Sequence, residues 1–260
     1  MVTDRIVAIR DGAVRFRVLS AGRGSPVVYF HSFHDRDAFL PFLERLAGRH
    51  TVYAPLHPGA AGSTGIETLD DLFDLTLAYD ELLSALDLPS AHLVGHFFGA
   101  MIGAEIAAVF PRRASRLVLI SPLGLWRDDA PSADVVTLPQ EDLLRAMWAD
   151  SASDAARRWA AEPSDEDENA AAQIESVQRR AAMAKFVWPI PDKGLRKRLH
   201  RIAAPTLVLW GDGDRVNPLD YAEEWQRGIK GAALSIRRGG HMIHQEAPDV
   251  VAGAVEEFLR

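Results

Sequence analysis

Short apolar runs alternate with amphipathic stretches along most of the chain. Residues 5–10 (RIVAIR) and 13–22 (AVRFRVLSAG) flank Asp11-Gly12, a pair that favours a tight hairpin turn. Residues 26–32 (PVVYFHS) form an apolar run that ends in polar residues, as a buried parallel strand does. Residues 37–50 carry Phe39, Phe42, Leu43 and Leu46 at helical spacing, and residues 51–59 read as a strand entering a glycine-rich turn. Leucines 69, 72, 75, 82, 83 and 86 mark an amphipathic helix of about five turns. A strand at 91–95, a helix at 99–110 and a strand at 115–121 follow. This alternation predicts a mostly parallel sheet with helices on both faces.

The pattern breaks near Pro122. Residues 123–201 hold no strand signal and are rich in Ala, Arg and Glu, with Trp126, Trp148, Trp159 and Trp188. Residues 162–170 (EPSDEDENA) read as a solvated turn whose carboxylates cap a helix. Alternation resumes with a strand within 204–218, a helix at 219–229, a strand at 232–238 and a last helix from about residue 247. The expected division is a core of residues 1–122 and 202–260, with a helical cap of residues 123–201.

Composition narrows the choice of partner. The 260 residues are 48% hydrophobic and 25% charged, ordinary for a soluble domain, with a net charge of -7. Nucleic acid is a poor partner for that balance. No cysteine is present, which removes disulfides and thiolate metal sites. The charged first residues do not resemble a signal peptide, and no apolar run reaches the ~18 residues of a membrane span. The expected setting is the cytoplasm, away from membranes. Oligomeric state is not readable.

Four motifs carry the chemistry. They are YFHSFHD (29–35), GHFFG (95–99) at a strand-to-helix turn, LWGDGDRVNP (209–218) and GGHMIHQEAP (239–248). Together, in this order, they resemble the α/β-hydrolase superfamily over essentially the whole chain, in the style of small esterases and carbon–carbon bond hydrolases with a helical cap. The resemblance implies the α/β-hydrolase fold, an eight-stranded, mostly parallel sheet with the cap inserted after the sixth strand. It also implies a nucleophile, acid and histidine in that chain order. By position these are Phe97, Asp214 and His241. The amides of Phe98 and Phe33 correspond to an oxyanion hole.

Phe97 cannot attack a carbonyl. Ser32, Ala61 and Ala100 also stand where such hydrolases commonly have glycine. Asp214 and His241 remain, so two readings stay open. One is an enzyme in which the Asp214–His241 dyad does general acid–base work without an acyl-enzyme, by elimination, isomerisation, cyclisation, carbon–carbon cleavage or activation of water. The other is a binder without catalysis that closes its cap over a small apolar molecule. His31, Ser32, His34, Phe97, Trp126, Trp148 and Trp188 are the candidate ligand contacts. His96 is expected to pack beneath the turn, Asp212 to bond within its own turn, Ser121 to bond backbone, and His244 to be exposed or capping. No local spacing suggests a metal, and no cofactor is expected.

Overall fold

A computed structural model describes residues 1–35 and 39–260. The eight strands are β1 (Thr3–Ile9), β2 (Val14–Gly22), β3 (Pro26–Phe30), β4 (Thr51–Pro55), β5 (Ala91–His96), β6 (Ala114–Ile120), β7 (Thr206–Gly211) and β8 (Ala233–Arg237). They form one sheet in the order β1-β2-β4-β3-β5-β6-β7-β8. β2 pairs antiparallel with β1 and β4, and every other neighbouring pair is parallel. The hairpin at Asp11 turns through left-handed backbone at Arg10, Asp11 and Gly12, with φ of 51°, 52° and 90°.

The central strands are apolar on both faces, and the period of two along each strand sorts their side chains. Val28, Phe30, Leu93, Leu117, Leu119, Val208 and Trp210 join one core cluster. Val27, Tyr29, Val94, Val118, Ile120, Leu207 and Leu209 join the other. On the first face lie α2 (Leu72–Ala85) and α3 (Phe98–Val109). Asp71 caps α2 by accepting from the amides of Phe73 and Asp74. The second face is covered by α1 (Pro41–Leu46) and, near the C-terminus, by the short α8 (Ile243–Glu246) and α9 (Pro248–Leu259). The first residues of the helix expected from residue 37 lie outside the described residues.

Between β6 and β7 the chain forms α4 (Gln140–Met147), α5 (Asp154–Ala160) and α6 (Glu166–Val187), and no strand among the described residues. The acidic run opens α6, where the Asp165 carboxylate accepts from the amides of Asp167 and Glu168. After two short 3-10 turns and β7, α7 (Asp220–Gly228) packs Tyr221, Ala222 and Trp225 inward. Arg198, near the end of the insertion, makes a two-pronged bond at 2.9 and 2.6 Å to Glu105, a buried carboxylate on α3. Among the described residues no helix is long and apolar enough to cross a membrane.

Candidate active site

The loops at the C-terminal ends of β3, β5, β6, β7 and β8 converge on one point. At the β5–α3 turn Phe97 takes φ 49° and ψ −110°. A bulky residue holds such backbone only where its surroundings over-determine it. Here the Phe97 amide donates to Ile120 O at 3.0 Å, and its carbonyl accepts from Met101 N at 3.0 Å and Leu123 N at 3.1 Å. Contact also dictates the glycines on either side. A Cβ on Gly99 would lie 1.9 Å from Phe30 O, and one on Gly95 would lie 2.6 Å from Ala100 N.

Asp214, after β7, is fixed from both sides. Its Oδ1 accepts from the amides of Val216 and Asn217, each at 2.9 Å. Its Oδ2 meets His241 Nδ1 at 2.9 Å, and both side chains are fully buried. A carboxylate beside Nδ1 fixes the proton there and leaves Nε2 with its lone pair. Nε2 is buried and has no hydrogen-bond partner among the described residues. Facing it is an aromatic wall. The Phe97 ring stands 4.7 Å from the imidazole and nearly perpendicular to it, at 86°. Phe33 and His34 lie 6.1 and 6.4 Å from the Phe97 ring.

The helical insertion clamps the histidine loop. Glu246 accepts from Gly240 N and Ala149 N, both at 2.6 Å, and Met242 N donates to Met147 O at 3.0 Å. One carboxylate thus ties α8, the turn that carries His241 and the end of α4. The position of the general-base candidate is therefore sensitive to how the insertion is seated.

The β3–α1 loop supplies the opposite wall. Ser32 does not simply crowd it as a bulkier glycine. Its Oγ accepts from His34 N at 3.1 Å and its amide donates to Asp35 Oδ2 at 3.0 Å, which closes the loop on itself. Burial pushes His31 down to about 4, so the ring is neutral near neutral pH, and neither of its nitrogens has a hydrogen-bond partner among the described residues. Burial also holds His34 well below the ordinary imidazole range. His57 is likewise pushed to about 4 by burial, and is pinned between His31 O and the Tyr79 hydroxyl at 2.5 Å each. The Phe98 amide opens α3, in the first turn, where the helix ladder offers no acceptor.

Residues 22–254 match the profile of the Alpha/beta hydrolase family. The chain belongs to that family. One relative is the dihydrolipoyllysine-residue acetyltransferase component of an acetoin cleaving system from Pseudomonas putida, 28% identical over 255 residues, 95% of this chain and 66% of that protein. Another is the 2-hydroxy-6-oxo-6-phenylhexa-2,4-dienoate hydrolase of Comamonas testosteroni, 28% identical over 193 residues, 69% of this chain and 66% of that protein. The matches thus span just under two thirds of the length of these two relatives. Among solved structures, a membrane phospholipase A superposes with a TM-score of 0.81 at 23% identity, covering 99% of this chain and 86% of that one. At that identity the likeness speaks for the fold alone.

Within this alpha/beta hydrolase fold the expected ligand contacts separate into groups. Phe97 packs on His241 with His34 beside the Phe97 ring, and His31 and Ser32 line a cavity with Phe33, Phe98 and Met183 of α6. Trp148 is fully buried behind Trp159, ring to ring at 6.2 Å. Trp126 bonds Asp128 at 2.8 Å, and the half-exposed Trp188 bonds Asp134 at 3.3 Å, so neither is brought to His241. The aromatic residue that the sequence reading passed over is Trp159. Its indole donates to His34 O at 2.9 Å, and it lines a groove of about 420 Å³ with Phe33, His34 and Leu143.

Four neighbouring polar residues fall differently from one another. His244 is neither exposed nor capping. It is fully buried, with Nε2 on Asp35 Oδ1 at 2.7 Å, because α8 turns its inner face onto the β3–α1 loop. Ser121 lies at φ 43° with a buried hydroxyl that bonds nothing among the described residues, while its amide donates to Leu209 O. His96 does pack beneath the turn, its Nε2 on His241 O at 3.0 Å, but Asp212 bonds outside its own turn, its carboxylate accepting from Gly239 N of the histidine loop at 3.1 Å.

Proposed function

We propose that this alpha/beta hydrolase family member catalyses proton transfer at an enol or carbon acid, with His241 as the base, Asp214 as its orienting carboxylate and no acyl-enzyme. The observation that carries the reading is the state of His241. Nδ1 is held by Asp214 while Nε2 is buried, unpartnered and next to a side chain that has no proton to give. An imidazole so oriented is a general base. A serine would be its usual proton donor in a hydrolase, and here the substrate itself must supply the proton.

The substrate class follows from the wall and from one relative. Phe97, Phe33 and Trp159 suit an aryl or other flat apolar group. The Comamonas relative acts on a phenyl-bearing hydroxy-oxo-dienoate, a dienol conjugated to a ketone. On such a molecule His241 takes the enol proton, leaving a dienolate. The imidazolium returns a proton to the carbon beside the distal ketone, which gives the diketo tautomer. No bond to the protein forms and no oxidant is used. Amides at Phe33 and Phe98 are the donors available to the transient oxyanion.

The test is exchange of that carbon-bound hydrogen in D2O, followed by NMR with an aryl dienol of this type. The reading expects exchange with the carbon skeleton intact, and loss of exchange in His241→Gln. Exchange undiminished in His241→Gln overturns it. One observation favours a second reading, a binder without turnover. The Phe97 ring packs against the His241 imidazole, centroid to centroid at 4.7 Å. Saturable binding of the dienol, with no exchange above background in either protein, would establish that reading instead.

A further inference from the structure

On the far side of His96 from the dyad, one carboxylate gathers three histidines. Asp35 Oδ1 accepts from His244 Nε2 at 2.7 Å and Gln245 Nε2 at 2.9 Å. Oδ2 accepts from the Tyr29 hydroxyl at 2.7 Å and Ser32 N at 3.0 Å. His31 Nδ1 stands 3.8 Å from Oδ2, and the His96 ring packs 4.1 Å from that of His244. One ligand atom from each of Asp35, His96 and His244 falls within 4.8 Å of the other two, and all three residues are buried. Nδ1 of His96, Nδ1 of His244 and both nitrogens of His31 have no hydrogen-bond partner among the described residues. Buried polar atoms without partners are uncommon, and here they cluster around one buried anion.

We propose that Asp35, His96 and His244 form a binding site for a divalent transition metal ion of the zinc or cobalt kind. Two imidazoles and a carboxylate are ligands these ions accept. The surrounding bonds are those that orient such ligands. Tyr29 and Ser32 hold the carboxylate, and His96 donates Nε2–H to the carbonyl of His241, which leaves Nδ1 as its lone pair. The ion takes the place of the hydrogen bond between His244 and Asp35. Binding breaks the His244–Asp35 hydrogen bond, and the His244 proton shifts from Nε2 to Nδ1, so that the imidazole stays neutral and Nε2 turns its lone pair to the ion. Ligand atoms now spread between 2.7 Å and at most 4.8 Å must settle roughly 3.4 Å apart, given tetrahedral bonds of about 2.0–2.1 Å. A cavity lined by His31, Ser32 and His57 also reaches Asp35. The bound ion would brace the β3–α1 loop, the end of β5 and α8, the pieces that frame His241. The sequence reading expects no metal because it sees only local spacing, and these three ligands come from three distant segments.

The experiment is a Co2+ titration of the full chain after chelator treatment, read by visible absorption, by metal content after dialysis and by thermal shift. The proposal expects a single saturable equivalent with d–d bands and a Tm that climbs with Co2+ concentration. His96→Gln and His244→Gln should each abolish that equivalent. Tyr29→Phe keeps all three ligands and should weaken binding by about 10–100-fold. It carries the test if a ligand variant fails to fold. The rival site is the pair His50 and His92, with rings 6.0 Å apart, so His92→Gln should leave binding unchanged. Absence of saturable binding, binding that survives both ligand variants, unaltered affinity in Tyr29→Phe, or loss in His92→Gln overturns the proposal.

Discussion

Phe97 can be removed in two ways, and the difference between them measures the strain at the elbow. The ring is fully buried and meets His241, Phe33 and His34 at 4.7, 6.1 and 6.4 Å. Phe97→Ala gives up that packing, a loss of about 3–5 kcal/mol for a core phenylalanine. Alanine inherits φ 49° and recovers none of the backbone strain. Phe97→Gly loses the same ring but relieves strain of about 1–3 kcal/mol. Against that stands the greater freedom of glycine in the unfolded chain, about 0.5–1 kcal/mol. Glycine should therefore match or exceed alanine, by up to about 2 kcal/mol. At an unstrained position the order is the reverse. Urea unfolding of both variants near neutral pH, with the m-values compared, gives the difference directly. If glycine is less stable than alanine by about 0.5–1 kcal/mol, position 97 is not strained. If alanine itself costs less than about 1 kcal/mol, far under the usual core range, the ring is not part of the core. Both variants also remove the ring packed on the His241 imidazole and leave the Asp214–His241 bond in place, so under the proton-transfer reading neither should abolish exchange.

Two further outcomes follow from the same geometry. Burial holds His31 and His57 at about 4 in the folded state, so as pH falls the unfolded chain takes up their protons first. Stability should fall as pH drops from about 6.5 towards 4, by up to about 1.4 kcal/mol per pH unit for each ring; urea midpoints that stay level across that window would refute it. Glu246→Ala leaves the amides of Gly240 and Ala149 without their acceptor, and should destabilise by about 1–3 kcal/mol and lower the exchange rate through a loosened His241 loop. Unchanged stability and rate would show that the clamp does not matter.

The fold was largely legible because its signals are local and repetitive. Apolar runs such as 26–30 and 91–96 state both strand and burial, and Asp11-Gly12 states a turn. The break after Pro122 marks where strands stop and helices take over. Asp214 and His241 could be matched by their order in the chain, and the structure joins them by one hydrogen bond. Direction was harder to see. Composition says that Trp126 and Trp188 are large and apolar, but not that their indoles turn to Asp128 and Asp134. The burial of His244 was invisible for a similar reason. Three residues after His241 on a short helix, it seems free until α8 is laid against a loop more than two hundred positions earlier, at Asp35. Glu246 had a motif around it but no visible partner, since Ala149 belongs to the insertion.

The tight seat of Gly99 against Phe30 and His31 has a bearing on how such proteins diverge. The bend that presents residue 97 is built by its neighbours: glycines with no room for a side chain, and amide and carbonyl bonds to Ile120, Leu123 and Met101. None of these depends on what residue 97 carries. The pedestal and its occupant are inherited separately, so a lineage can exchange the reacting group while the scaffold stays superposable on its cousins. Overall resemblance then tracks ancestry, and the occupant alone records a change of chemistry.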